Sequence, residues 1–155
     1  MHIGDLLFGD AILIRQGASS KRQALHMVAE AAADHLNLSE ARIFDALMER
    51  ETLGSTGLGS GVAVPHARLA GLKRVQAVFV KLETPVPYDA VDDRPVDLLF
   101  ALFAPPTDGA EHLRALAAVS RAMRSPDLRQ RLRQATTVDS ISALFVQQSP
   151  AATAA

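Results

Sequence analysis

The 155-residue sequence contains no cysteine. This excludes disulfide staples, thiolate zinc sites and a cysteine nucleophile, and it fits a reducing compartment. Long apolar runs are also missing. The longest, Leu98 to Ala104, falls far short of the roughly 20 residues that a membrane-spanning helix needs. The N-terminus shows no basic region followed by an apolar signal segment, so a cytoplasmic location without membrane insertion is expected. There is no excess of one charge sign. Sixteen basic and 17 acidic residues leave a net charge of −1, which gives no basic surface for a duplex nucleic acid. No pair of histidines forms H-x-H or H-E-x-x-H, and no glycine stretch ends in G-K-[ST]. The short metal and nucleotide signatures are therefore absent. No internal repeat or long linker is visible.

With 48% hydrophobic residues, the chain is the size of one domain with a sizeable core. Its unusual stretch is R-E-T-L-G-S-T-G-L-G-S-G-V-A-V-P-H-A-R, from Arg50 to Arg68. Gly54, Gly57, Gly59 and Gly61 free the backbone so that N–H groups can share one concavity, a common way for a loop to hold an anion. Val62 to Val64 read as a short buried strand that Pro65 stops, leaving His66 as the first residue past a rigid strand end. An imidazole titrating near neutral pH beside such a loop can attack phosphorus, with Arg50 or Arg68 offsetting the charge. The local chemistry points to a phosphohistidine.

The rest of the chain reads as helices around a small mixed sheet. Met1 to Phe8 is a lead-in and Ala11 to Ile14 a strand. Ser19 or Ser20 caps a helix ending near Asn37, and Ser39 starts a second that Arg50 ends. Val75 to Leu82 is a strand covered on both faces. Thr84 to Pro95, with three prolines, reads as a loop. Val96 to Ala104 is the central strand. Thr107 or Asp108 caps a helix with one row of Leu113, Leu116, Ala117 and Ser120, and another of His112, Leu116, Val119 and Met123. Ser125-Pro126 starts a helix with Leu128 and Leu132 inward and a solvated arginine strip outward. Thr136 with Asp139 fits a capping box for the last helix. Residues 1–148 make up the domain, and 149–155 a flexible C-terminal tail. His2, His26 and His35 read as surface or helix-face residues, and Arg68 as a solvated rim charge.

The motif G-x-G-x-A-x-P-H, from Gly59 to His66, resembles the enzyme IIA proteins of the bacterial phosphotransferase system, in the mannitol, fructose and nitrogen-regulatory class. L-G-S-T-G (Leu53 to Gly57), Y-D-A-V-D (Tyr88 to Asp92) and P-V-D-L-L-F-A-L (Pro95 to Leu102) are similar to its nitrogen-regulatory branch. The resemblance implies an α/β (α+β) fold, a single-domain mixed β-sheet flanked by helices. It also implies a phosphocarrier whose His66 takes a phosphoryl group from a histidine phosphocarrier protein. Arg50 and His112 match the accompanying site residues. Ala67 stands where many members carry Gly, a mild departure. Regulated targets such as potassium transporters or sensor kinases are the partners implied for that branch, and no metal or cofactor is needed.

The expected mechanism is in-line attack by the His66 Nε2 to give a tele-phosphohistidine. The N–H groups of Gly57 and Gly59 and the hydroxyl of Ser55 or Thr56 would hold the phosphoryl oxygens. Two alternatives stand beside this reading. A sugar-specific IIA component would pass the phosphoryl group to a IIB domain, whereas a metal-dependent hydrolase would use His66 and His112 with Asp89 or Asp93 as ligands.

Overall fold

A computed structural model describes residues 3–107 and 109–147. After a 3-10 turn at Ile3–Leu6, the chain forms β1 (Leu7–Arg15), α1 (Lys21–Leu36) and α2 (Glu40–Thr52). Next come the short strands β2 (Gly57–Gly59), β3 (Val62–Ala63) and β4 (His66–Arg68), then β5 (Gln76–Val86) and β6 (Val96–Ala104). The chain closes with α3 (Gly109–Met123), α4 (Pro126–Gln134) and α5 (Val138–Val146). The sheet order is β1-β5-β6-β3-β2, with β4 also on β6. β5 runs antiparallel to β6, whereas β1–β5, β3–β6 and β4–β6 pair in parallel, so the sheet is mixed as expected.

Side chains alternate across a strand, and here both faces are apolar because both are covered. Val78, Val80, Leu99, Ala101 and Phe103 pack with Leu25, Val28, Ile43 and Leu47 of α1 and α2. On the other face, Phe79, Phe100 and Leu102 meet Val119, Leu132 and Phe145. Three phenylalanines close this second layer edge to face, with Phe79–Phe145 at 5.0 Å and Phe100–Phe145 at 5.3 Å between ring centroids. β6 is buried throughout Leu98 to Ala104, which explains the apolar run there.

Ser20, Ser39 and Ser125 cap α1, α2 and α4, each accepting a backbone N–H three residues on, and Asn37 ends α1 in the left-handed conformation. Other expectations need correction. β1 begins at Leu7 and not Ala11, because parallel pairing with β5 carries it past a register shift between Leu7 and Ile12. β5 continues to Val86, so Thr84 to Val86 is strand and not loop. Pro85 is accommodated where the β5–β6 register shifts, the kind of irregularity that accepts a residue without an N–H. α2 runs two residues past Arg50.

The last helix is capped by Thr137, whose Oγ1 accepts the Ser140 N–H at 3.1 Å, and not by Thr136. α3 buries His112, Ala115, Val119 and Met123 on one row, leaving Leu113 66% exposed. The arginine strip of α4 is only partly solvated, since Arg129 donates to the Met123 carbonyl and Arg133 to Asp97. Asp108, His2 and the tail 149–155 lie outside the described residues.

Candidate functional site

Three elements bring His66, Arg50 and His112 together. The last turn of α2 carries Arg50, and the first turn of α3 carries His112. His66 opens β4, where its backbone pairs with Leu102 of β6. It is therefore not merely a residue past a strand end, as expected. Pro65 interrupts only the break between β3 and β4, and its carbonyl accepts the Leu102 N–H at 2.9 Å. The imidazole is half-buried while its backbone is part of the sheet.

The His66 Nδ1–H donates to the Val64 carbonyl at 2.9 Å, two residues back. The Arg50 Nε–H donates to Nε2 at 3.2 Å. These two bonds require the neutral tautomer with its proton on Nδ1, so Nε2 carries the lone pair. Burial holds the His66 pKa below the ordinary histidine range. The Val64 carbonyl pushes back, the Arg50 charge adds to the lowering, and the Glu51 charge opposes it. Near neutral pH the ring is therefore uncharged, with its Nε2 lone pair free of a proton.

The His112 ring stands edge-on to His66, with centroids 5.5 Å apart. His112 is only 6% exposed, and its buried Nε2 has no hydrogen-bond partner. An unsatisfied buried polar atom is costly and calls for a reason. Burial lowers the His112 pKa, and the charges of His66 and Arg68 lower it further. Arg68 bends over the start of α3, donating to the Pro106 carbonyl at 3.4 Å. These side chains border a cleft of about 480 Å³ together with Glu49, Leu53, Leu113 and Leu116. Leu53 is 82% exposed, so the cleft has a protruding apolar rim.

The residues expected to form an anion cradle, Ser55, Thr56, Gly57 and Gly59, are not among those lining the cleft. Gly57–Gly59 form β2, a hairpin partner of β3. The Thr56 N–H donates to both Glu51 oxygens at 3.1 Å, and the Gly57 N–H to the Ser55 hydroxyl at 3.1 Å. The Ser55 hydroxyl in turn donates to the Tyr88 carbonyl, and the buried Thr56 hydroxyl bonds the Tyr88 hydroxyl at 3.1 Å. Their hydrogen-bonding capacity is spent inside the fold. Gly57 is small for a packing reason, because a Cβ there would lie 2.7 Å from that of Ala90. Ser55, Thr56, Gly57 and Gly59 support the site from behind and do not border the cleft.

Arg68 stands exposed at the cleft edge, the rim position expected, whereas Glu51, a buried carboxylate next to Arg50, was not singled out. A signal was available, since an acidic residue in the last turn of a helix opposes the dipole there. The metal alternative gains no support from donor geometry. Among the described residues, the one group of three metal-ligating types is His26, Glu30 and Glu40, on the exposed sides of α1 and α2, and it includes neither His66 nor His112.

The profile of the family described as "Phosphoenolpyruvate-dependent sugar phosphotransferase system, EIIA 2" matches residues 5–148. The chain belongs to this family. It is a phosphocarrier component of the phosphotransferase system, and its partners are phosphotransfer proteins. A protein of Bradyrhizobium diazoefficiens called "Nitrogen regulatory protein" is 39% identical over the full length of both chains. A solved structure described as nitrogen regulatory protein IIA-Ntr from Neisseria meningitidis superposes with a TM-score of 0.86 at 34% identity, covering 92% of this chain and 98% of that one. IIA mannitol from Escherichia coli shares the fold, with a TM-score of 0.75 at 22% identity over 89% of this chain and 98% of that one. These matches place this EIIA protein on the nitrogen-regulatory side of its family. No described helix is long and apolar enough to cross a membrane.

Proposed function

We propose that this EIIA protein receives a phosphoryl group on the Nε2 of His66 from a phosphohistidine of a small carrier protein and, in the cytoplasm, regulates other proteins by its phosphorylation state. The observation that carries the proposal is the pairing of a lone pair with an unsatisfied donor. Nε2 of His66 is held free of protons by the Nδ1–Val64 bond, while the buried Nε2 of His112 has no partner and can donate to an incoming oxygen when it bears the proton. The Nε2 lone pair forms the new P–N bond as the donor's P–N bond breaks and its electron pair returns to the donor imidazole.

Arg50 then exchanges its contact with Nε2 for the phosphoryl oxygens, and Arg68 supplies a second cation at the cleft edge. Phosphorylation adds about −1.5 to −2 charge, which the apolar rim of Leu53 and Leu113 surrounds. A partner docked on that rim senses the charge directly. The similarity to proteins called nitrogen regulatory at 35–40% identity favours regulated proteins, such as potassium transporters or sensor kinases, over a sugar-specific IIB domain as the partners downstream.

The test is labelling by phosphoenolpyruvate with the upstream phosphotransferase proteins. Wild type should take up one phosphoryl group, stable to base and labile to acid, and His66→Ala none. Stoichiometric labelling of His66→Ala would remove the assignment.

A further inference from the structure

Arg50 and Glu51 occupy successive positions in the last turn of α2, about 100° apart around the helix axis. Arg50 faces His66, whereas Glu51 turns inward until its side chain is only 4% exposed. There it meets the Lys21 Nζ at 2.8 Å and, through both oxygens, the Thr56 N–H. Lys21 also lies over the Tyr88 ring, 4.7 Å from its centroid. Each charge stands at the wrong end of its helix. Lys21 is the first residue of α1 and Glu51 is in the last turn of α2, so both oppose the local dipole.

A buried ion pair is seldom kept for stability alone, because apolar residues of similar size usually serve as well. This pair touches the site by two routes. By bonding, Glu51 holds Thr56, whose carbonyl accepts the Val64 N–H at 3.0 Å, and the Val64 carbonyl fixes the Nδ1–H of His66. By charge, Glu51 raises the proton affinity of His66 against the opposing Arg50. A phosphoryl group on Nε2 is anionic, so the same carboxylate repels it and the Lys21 ammonium offsets that repulsion.

We propose that Glu51 and Lys21 are positioning residues that set how tightly His66 holds its phosphoryl group, the carboxylate loosening it for onward transfer and the ammonium limiting that effect. This rests on His66 being the phosphorylated residue. The charged and titratable groups facing the imidazole are Arg50, Glu49, Arg68 and His112 around the cleft and Glu51 with Lys21 behind it.

The test uses the full chain with Glu51→Gln, Lys21→Met and the double variant, measuring the His66 pKa by NMR titration and the phosphorylated fraction at equilibrium with the phospho-carrier. Glu51→Gln leaves an unpaired cation, so the His66 pKa falls and the ratio of phosphorylated to free protein rises about threefold to tenfold. Lys21→Met leaves an unpaired carboxylate and moves both readings the other way by a similar factor. The double variant returns both toward wild type, and Lys21→Arg leaves both unchanged. A merely structural role would lower phosphorylation in both single variants, and that result, or two unmoved pKa values, overturns the proposal. The pKa readings need no phosphoryl group. Failure of His66 as acceptor would thus show in the labelling of His66→Ala, separately from failure of this inference.

Discussion

Arg133 and Arg50 grip the glycine stretch from opposite ends, and they are satisfied in different ways. Arg133 reaches from α4, donating to both oxygens of Asp97 at 2.9 Å each and to the Ser60 carbonyl at 2.6 Å. Arg50 reaches from α2, donating to the Gly54 carbonyl at 2.8 Å and to the lone pair of His66. Among the described residues, no carboxylate lies within ion-pair distance of Arg50. One guanidinium is neutralised by a fork-to-fork carboxylate and clips the hairpin to the helical layer. The other keeps its charge in a cleft beside an unsatisfied histidine nitrogen. The two arginines that hold this stretch thus differ in whether a carboxylate neutralises them, and the one proposed to meet the phosphoryl group is the one without.

The comparison breaks most sharply at Arg50. Arg50→Met should slow phosphoryl uptake about 100-fold, the equivalent of ~3 kcal/mol for one charge-assisted contact to the transferred group, with the melting temperature little changed. Quenched-flow labelling measures it. Uptake at the wild-type rate would show that the two arginines do not differ in kind. Arg133→Met should do the opposite, lowering stability by about 1–2 kcal/mol in a urea titration while leaving the labelling rate unchanged. Slowed labelling there would mean that the hairpin end also acts on the phosphoryl group.

The smallest effect sharpens the contrast through pH. Burial depresses the pKa values of His66 and His112 in the folded state, so the unfolded chain binds protons first as pH drops. Both groups therefore cost stability as pH falls from about 6.5 toward their folded values, and the loss is complete below those values. His66→Gln should flatten that part of the stability profile, whereas Arg133→Met should shift the whole profile down without changing its slope there. An unaltered slope in His66→Gln would contradict the depressed pKa.

Much of this was legible in the chain because the signals were local. The serine caps at Ser20, Ser39 and Ser125, the apolar run of Val96 to Ala104 and the Pro-His step are short-range features, and each falls where its chemistry places it. The Thr84–Val86 strand was hidden because proline density outweighs alternation, while the strand exists through pairing with a distant partner, Val86 with Val96. Thr137 rather than Thr136 caps α5 because Ser140 supplies the N–H, and two adjacent threonines offer no local preference. The glycine stretch is likewise governed by its partners. Its freedom to expose N–H groups was real, but Glu51, Ser55 and Asp92 fill that demand from within the fold. His66, Arg50 and His112 could be grouped from the sequence only through family resemblance, since no spacing rule links residues that converge from α2, β4 and α3.

The Pro65 carbonyl ties the backbone that presents His66 to Leu102, in the most enclosed strand of the sheet. In the language of amide exchange, the histidine rides on a segment whose tether opens only when the core itself comes apart. If His66 is the phosphorylated residue, as proposed, the group is gained and lost on a backbone anchored in the sheet. On that proposal, a partner would read electrical potential at a fixed address, with no rearranged shape to wait for.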